Sequence, residues 1–206
     1  MKKYLCVEYP ERKLLWFTVP KVGSKTIHDA FSTLGMRYRL ERLRALENYH
    51  DDYFKFCFTR NPWDRVLSAF TDKTKKVWEP GDYADQLGEK VDIYTSLNFF
   101  KRWKDSSFRD FVLDLKNQDL WRDRHIQEQH TLIPVDQMDF IGKIENFQKD
   151  FDTLCSKLSL KPIILPVKNK TNHDHYSKYY DPEMVEIIRE KYNKDIQLFQ
   201  YEFNYE

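Results

Sequence analysis

The feature that most constrains the fold is a pattern of strand, turn and helix that recurs along the chain. Residues 13–19 (KLLWFTV) are rich in aromatic and branched side chains, and a Pro, Gly and Ser cluster and a helical pattern over residues 26–34 follow them. Residues 54–59 (FKFCFT) and 138–144 (MDFIGKI) begin two further units of this kind. Strands that alternate with helices predict a three-layer α/β fold, with a mostly parallel central sheet flanked by helices and ligands at the carboxyl ends of the strands.

Length and charge limit the kinds of protein that the chain can be. With 206 residues it suits a single domain over 1–206 with one core. Lysine and arginine number 34, and aspartate and glutamate number 33. The net charge of +1 therefore predicts no binding to nucleic acid, and any anion site has to be local.

The cysteines and the N-terminus predict a soluble, cytoplasmic protein. Cys6, Cys57 and Cys155 are odd in number and lie far apart among apolar neighbours, which favours buried thiols over a disulfide framework. Glu8 and Pro10 interrupt the N-terminal apolar stretch before a signal-peptide core of about 7 to 15 residues can form. No window holds the roughly 20 apolar residues of a transmembrane segment.

The middle and the C-terminal third contain further predicted elements. Helical stretches are expected around residues 96–103 and 107–116, and residues 162–167 (PIILPV) are expected to form a last short strand. Asp181, followed by Pro and Glu, predicts the start of a C-terminal helix. Its core face would consist of Met184, Val185, Ile188 and Tyr192.

The first phosphate-binding signal is the segment TVPKVGSKTI, residues 18–27, between the first strand and its helix. A loop there directs backbone N–H groups and the positive end of a helix at one point, which favours a phosphate, and Gly23 lets the backbone come close. The candidate residues are Lys21, Val22, Gly23, Ser24, Lys25, Thr26 and Ile27. An ordinary strand-to-helix turn with solvated lysines is the alternative.

This loop departs from a Walker A loop. Ser24 separates Gly23 from Lys25, and the first glycine of that motif is missing. The second strand is followed by Arg60, where a Walker B strand would end in a magnesium-binding aspartate. The sequence therefore disfavours an ATPase or GTPase.

The second signal is RNPWDRVLSAF, residues 60–70, after the second strand. Arg60 offers a planar fork for a phosphate, and the hydroxyl of Ser68, about two turns into the next helix, can complete its coordination. Asn61 supplies an N-cap for that helix. A capped helix without a ligand is the alternative.

Together these two segments resemble a known family. PKVGSKT is similar to the loop that holds the 5'-phosphosulfate in sulfotransferases that use PAPS (3'-phosphoadenosine-5'-phosphosulfate), and RNPWDRVLSAF is similar to their 3'-phosphate motif. Residues 123–129 (DRHIQEQ), 139–151 (DFIGKIENFQKDF) and the C-terminal segment extend the resemblance over most of the chain. It is closest to the carbohydrate sulfotransferases that modify chondroitin and dermatan. It implies a P-loop-like fold, PAPS as donor, PAP (3'-phosphoadenosine-5'-phosphate) as product and no metal.

The resemblance also implies roles for the donor-binding residues. Lys21 would neutralise the charge that grows on the leaving-group oxygen, and the backbone of residues 22–27 would hold the 5' side of the nucleotide. Arg60 and Ser68 would bind the 3'-phosphate, and Lys170 would belong to a basic loop that closes over the nucleotide. The anchor of Golgi members is absent from this sequence, which fits either a soluble enzyme or a catalytic domain trimmed from a longer protein.

For the acceptor side, the resemblance places a histidine at His125, and an imidazole can accept a hydroxyl proton at neutral pH. His130 and Glu128 are the alternative general bases. The acceptor would be a carbohydrate, or else a small-molecule metabolite. A magnesium-dependent kinase and a binding module without catalytic activity remain the rival functions.

Overall fold

The computed structural model describes residues 4–43, 50–75, 99–120, 123–165 and 174–206. The chain divides into two compact units. The first comprises Met1–Arg60 and Gln129–Lys170, and the second comprises Asn61–Glu128 and Thr171–Glu206. Among the described residues the helices are α1 (Ser24–Thr33), α2 (Pro62–Lys75), α3 (Phe108–Leu115), α4 (Phe147–Lys157), α5 (Pro182–Lys191) and α6 (Asn193–Phe199).

The first unit contains a five-stranded sheet with the order β3-β1-β2-β4-β5. Its strands are β1 (Tyr4–Tyr9), β2 (Leu14–Phe17), β3 (Arg39–Leu43), β4 (Phe54–Thr59) and β5 (Phe140–Lys143). Strand β4 pairs in parallel with β2 and with β5, while β1 pairs antiparallel with β2 and with β3. The strands of the three predicted strand-and-helix units are thus the parallel half of the sheet.

The sheet is mixed, so the prediction of a mostly parallel sheet was wrong. Strands β1 and β3, which the sequence patterns did not predict, account for both antiparallel pairings. Only the short 3₁₀ turn Pro10–Arg12 and Lys13 connect β1 to β2, and Lys13 adopts a left-handed backbone with φ of 48°. A connection this short forms a hairpin, because a parallel crossover needs a dozen or more residues.

Helices α1 and α4 cover one face of this sheet through aromatic side chains. The ring of Phe31 on α1 lies 5.8 Å from that of Phe56 on β4 and 5.7 Å from that of Phe151 on α4. The ring of Phe147, the first residue of α4, lies 5.4 Å from that of Phe58. Only residues 18–23 separate the end of β2 from the start of α1, so α1 starts near the carboxyl end of β2, where the sequence predicted the ligand site.

The second unit is helical. Helices α2 and α5 start at their predicted caps, whereas the cap of α3 was not predicted. Asn61 accepts the N–H of Trp63 with its side chain, Ser107 forms a capping box with Asp110, and Asp181 accepts the N–H of Met184. The predicted core face of α5 is confirmed, since its four residues are all buried together with Ile187: Met184, Val185, Ile188 and Tyr192.

Two predicted elements need correction or lie partly outside the described residues. Residues 162–165 form no strand, so that prediction was wrong for the described part of 162–167. Instead, the Gln148 side chain accepts the N–H of Leu165 at 2.8 Å and donates to the Ile163 carbonyl at 2.9 Å. A side chain of α4 therefore takes the backbone groups that a sheet partner would take. Of the predicted helix at 96–103, residues 96–98 lie outside the described residues.

The cysteine prediction is confirmed. All three cysteines are buried and none forms a disulfide. Burial raises the pKa of the Cys57 and Cys155 thiols, so both stay protonated at neutral pH. In the part of the chain that the structure describes, no helix is long and apolar enough to cross a membrane.

Candidate donor and acceptor sites

The loop between β2 and α1 is tied down at both ends. The N–H and the hydroxyl of Thr18 both donate to the Leu5 carbonyl, at 3.0 and 3.2 Å, which extends the β1–β2 pairing into the loop. The Ser24 hydroxyl donates to the Val19 carbonyl at 3.3 Å, and Val22 is fully buried. The loop is therefore a defined turn that can present its backbone to a ligand.

The N-terminus of α1 provides the anion-binding geometry expected from the sequence. The carbonyl of Gly23, the N-cap, accepts the N–H groups of Thr26 and Ile27 at 2.9 and 3.2 Å. The N–H groups of Ser24 and Lys25, in the first turn, have no acceptor within the helix. They point with the positive end of the helix dipole toward the space in front of the loop, which favours a phosphate or sulfonate oxygen.

Two features of the structure require glycine at position 23. Its φ of 75° lies in the left-handed region that L side chains rarely adopt. A Cβ at this position would lie 2.9 Å from the Phe147 ring and 3.2 Å from Cδ1 of Ile144. Residues 18–23, called the donor loop after their predicted role, thus lie directly against the start of α4, with no room for a side chain between them.

A hydrogen bond within the first unit joins Lys21 and Arg60, one residue from each predicted phosphate-binding segment. Lys21 has a φ of 73°, a left-handed conformation that costs a non-glycine residue about 1–3 kcal/mol. Its carbonyl accepts a hydrogen bond from Nη1 of Arg60 at 3.0 Å, across 39 residues of sequence. The guanidinium at the end of β4 therefore lies against the donor loop and holds the strained residue in place.

Gln129 is a candidate positioning residue that the sequence patterns missed. Its Oε1 accepts the N–H of Arg60 at 2.9 Å, and its Nε2 donates to the carbonyl of Arg60 at 2.8 Å. The side chain is fully buried. It pairs with both backbone groups of the residue after β4, as a neighbouring strand would. No local spacing signals this contact, because the partners are 69 residues apart.

The other predicted donor residues differ in exposure. Thr26 and Ile27 are buried, and their N–H groups donate to the Gly23 carbonyl, while Lys25 is exposed on the first turn of α1. Ser68 lies on α2 in the second unit and is only 2% exposed. Lys170 lies outside the described residues.

His125, in the second unit, forms a dyad with Asp123. Ring Nδ1 of His125 lies 2.8 Å from Oδ1 of Asp123, and the same oxygen accepts the backbone N–H of His125 at 2.7 Å. The Asp123 side chain is fully buried, whereas that of His125 is 22% exposed. The carboxylate thus contacts the Nδ1 side of the ring, and the spacing Asp-x-His could have indicated this contact.

The turn that carries His125 is held by residues of α2 and of the C-terminal region. Arg65, fully buried, donates to the carbonyls of Arg124 and Gln127, both at 2.8 Å. The Tyr192 hydroxyl donates to the carbonyl of Ile126. Burial raises the pKa of Tyr192, so its hydroxyl keeps its proton and remains a donor.

The two alternative bases lie on either side of Gln129. Glu128 is the last residue of the first segment of the second unit, and His130 lies in the short 3₁₀ turn Gln129–Thr131 of the first unit. Both are partly buried. Among the described residues, no group of three or more His, Cys, Asp or Glu is arranged to hold a metal ion.

Comparison with known proteins identifies the class. The model of the sulfotransferase family matches residues 7–202, nearly the whole chain, so the chain belongs to this family of sulfonate-transferring enzymes. Membership implies a P-loop-like fold, and the mixed five-stranded sheet flanked by helices is the form that it takes here. No curated protein and no solved structure matches significantly.

Proposed function

We propose that this chain transfers a sulfonate group from PAPS to a hydroxyl group of a carbohydrate, and that residues 1–206 act as one sulfotransferase domain. Family membership supports sulfonate transfer in general. The observation that carries the proposal furthest is the hydrogen bond from Arg60 to the Lys21 carbonyl, because it joins both nucleotide motifs at one helix N-terminus. An anion with two phosphate groups fits a site that has an arginine fork beside a backbone cradle.

On the donor side, the N-terminus of α1 would hold the 5'-phosphosulfate through the first-turn N–H groups of Ser24 and Lys25, which have no acceptor within the helix. The Lys21 ammonium would neutralise charge on the oxygen that bridges sulfur and phosphorus, where negative charge grows as the bond breaks. Arg60 would bind the 3'-phosphate. The roles of Ser68 and Lys170 at that phosphate rest on the sequence resemblance.

On the acceptor side, His125 would remove the proton of the attacking hydroxyl. The hydroxyl oxygen forms a bond to sulfur while the bond from sulfur to the phosphate oxygen breaks, and PAP leaves with the electron pair. The proton passes to His125, and the sulfate ester is the second product. Positioning and charge stabilisation should dominate the rate, as in phosphoryl transfer. Chondroitin-like glycans are the acceptor class that the sequence resemblance favours.

Calorimetric binding of PAP, adenosine monophosphate and magnesium-ATP tests the donor site. We expect PAP to bind most tightly, and Arg60→Ala to weaken it at least about tenfold, because a charged hydrogen bond contributes about 1.5–3 kcal/mol. Ser68→Ala should weaken it less. Arg102→Ala is the matched control, since this exposed arginine pairs with Asp114.

Two results would refute the donor assignment. One is PAP binding no tighter than adenosine monophosphate, and the other is PAP binding to Arg60→Ala with the affinity of the wild type. Preferred binding of magnesium-ATP would favour a kinase instead. PAP binding without turnover on any glycan would leave a nucleotide-binding module.

A further inference from the structure

We propose that Asp123 is the positioning residue that fixes His125 in the tautomer whose Nε2 accepts the proton of the acceptor hydroxyl. The inference deepens the proposed function and rests on it, because it takes His125 as the general base. Asp123 would touch neither substrate. It would act through the imidazole ring.

The hydrogen bond between the ring and the carboxylate determines which ring nitrogen carries the hydrogen. An ionised carboxylate only accepts hydrogen bonds, and a neutral imidazole carries one N–H and one lone pair. Since Nδ1 of His125 lies 2.8 Å from Oδ1 of Asp123, Nδ1 has to carry the hydrogen. The lone pair of the neutral ring is then on Nε2, which makes Nε2 the nitrogen that can act as a base.

The Asp123 carboxylate is held in place by the turn that carries it. Its Oδ1 also accepts the backbone N–H of His125, and its own backbone carbonyl accepts the N–H groups of Ile126 and Gln127 at 3.1 and 2.9 Å. Arg65 holds the same turn by its bonds to Arg124 and Gln127. The carboxylate is therefore fixed relative to the turn, and the ring is fixed relative to the carboxylate.

Proton transfer to His125 strengthens its interaction with Asp123. When His125 takes the acceptor proton it becomes an imidazolium, and the buried Asp123 carboxylate then faces a full positive charge at hydrogen-bond distance. That interaction is stronger after proton transfer than before, so it stabilises the transition state more than the ground state. The aspartate of a Ser-His-Asp triad acts by the same logic.

His175 provides a contrast within the same unit. Its Nδ1 accepts the backbone N–H of Ser177 at 3.4 Å and lies 2.9 Å from the Ser177 hydroxyl. A ring nitrogen that accepts from an N–H carries the lone pair, so His175 is expected in the tautomer with the hydrogen on Nε2. The two histidines should therefore show opposite tautomers in one spectrum.

Nitrogen NMR of the histidine-labelled protein at pH 8 tests the inference without a substrate. We expect the wild type to show His125 as the Nδ1–H tautomer, with His175 as the opposite internal reference. Asp123→Asn keeps an oxygen for the backbone N–H of His125 but removes the charge, so the His125 tautomers should become mixed. The His175 signals should not move.

Turnover of PAPS with desulfated chondroitin is the second readout. We expect Asp123→Asn to lower kcat by about 10²-fold or more while PAP affinity stays within about threefold, since a general base contributes roughly 10²–10⁴-fold. His125→Ala sets the lower limit of kcat. A purely structural role for Asp123 would instead lower PAP affinity and stability together and leave the tautomer unchanged.

The outcomes separate the inference from the proposed function. Full turnover by His125→Ala would remove the general base and the inference with it. Loss of turnover in His125→Ala with normal kcat in Asp123→Asn would overturn the positioning role alone. If the wild type does not sulfate chondroitin, that acceptor is wrong, and the tautomer of wild-type His125 still decides the inference. An Nε2–H tautomer in the wild type would refute it.

Discussion

Replacing Gly23 by alanine tests whether the donor loop needs glycine for its backbone conformation, for its close contacts, or for both. Gly35 provides the matched control, because it has nearly the same left-handed φ, 71° against 75°. A Cβ at position 35 would meet nothing within 4 Å, whereas one at position 23 would lie 2.9 Å from the Phe147 ring. The two substitutions therefore share the conformational cost and differ in the steric one.

The expected magnitudes follow from this comparison. The left-handed conformation costs alanine about 1–2 kcal/mol at either position. Insertion of a methyl group against Phe147 adds about 1–3 kcal/mol of overpacking at position 23 only. We expect urea unfolding to show Gly23→Ala as the less stable variant by that difference. Calorimetry should show weaker PAP binding for Gly23→Ala and unchanged binding for Gly35→Ala.

Phe147→Leu supplies the check on the cause. If the Phe147 ring is what excludes a side chain, the cost of Gly23→Ala should shrink when Phe147 is already leucine, as a coupling energy in a double-mutant cycle. Equal destabilisation by Gly23→Ala and Gly35→Ala, with no coupling to Phe147, would refute the argument that the loop lies against α4.

The remaining predictions concern a buried amide pair and a helix cap. Gln129→Leu breaks both bonds to the Arg60 backbone, at about 1–3 kcal/mol each, so unfolding free energy should fall by about 2–6 kcal/mol and PAP affinity by about tenfold. Gln148→Leu breaks two similar bonds at an exposed position and should leave PAP affinity unchanged, and an equal loss of affinity would contradict a positioning role for Gln129. The pKa of Asp181 is lowered, chiefly by the N–H that it accepts at the start of α5, so its stabilising effect is present at neutral pH and is lost as the pH falls through the carboxyl range. Asp181→Ala should therefore cost about 1 kcal/mol at pH 7 in urea unfolding, with a smaller gap to the wild type near pH 3, and a gap independent of pH would contradict this.

The elements that the sequence predicted well are those whose signals are local. The strand over residues 54–59 was predicted at both ends, and Asn61 caps the helix after it as predicted. Helix α5 begins at Pro182, directly after its predicted cap Asp181. Aromatic and branched runs, caps and first-turn prolines act within a few residues, so their effect is visible without knowledge of the tertiary structure.

Strands β1 and β3 were missed because their stability depends on distant partners. Glu8 interrupts the apolar pattern of β1, yet its side chain is fully buried, since Arg39 on β3 donates two hydrogen bonds to it at 2.7 and 3.0 Å. A charged residue in a short apolar run is usually exposed. Arg39 is 31 positions away from Glu8, and Tyr53, which also forms a side-chain hydrogen bond with Glu8, is farther still, so the sequence pattern contains neither pairing.

The residues of the candidate site also differ in whether a local sequence signal indicates them. Gly23, the start of α1 and Arg60 were predicted because phosphate chemistry demands those residue types at those places, and their binding of a phosphate stays a prediction. The contact of Asp123 with His125 could have been predicted, since a carboxylate two residues before a histidine can accept both its backbone N–H and its ring N–H. Gln129 was not, because an amide that completes a strand end across 69 residues has no distinctive neighbours in the sequence.

In the segment RNPWDR, some side chains stabilise the fold, whereas Arg60 is predicted to bind the nucleotide. Three of its side chains are almost fully buried in the second unit, and each donates to backbone carbonyls distant in sequence: Asn61 to Glu202, Trp63 to Val185, and Arg65 to Gln127 and Arg124. These residues would be required for folding even if no nucleotide bound. Arg60, by contrast, belongs to the first unit and donates to the carbonyl of Lys21 in the strained donor loop. A match to the whole segment therefore supports the fold, and only the loss of PAP binding in Arg60→Ala bears on the chemistry.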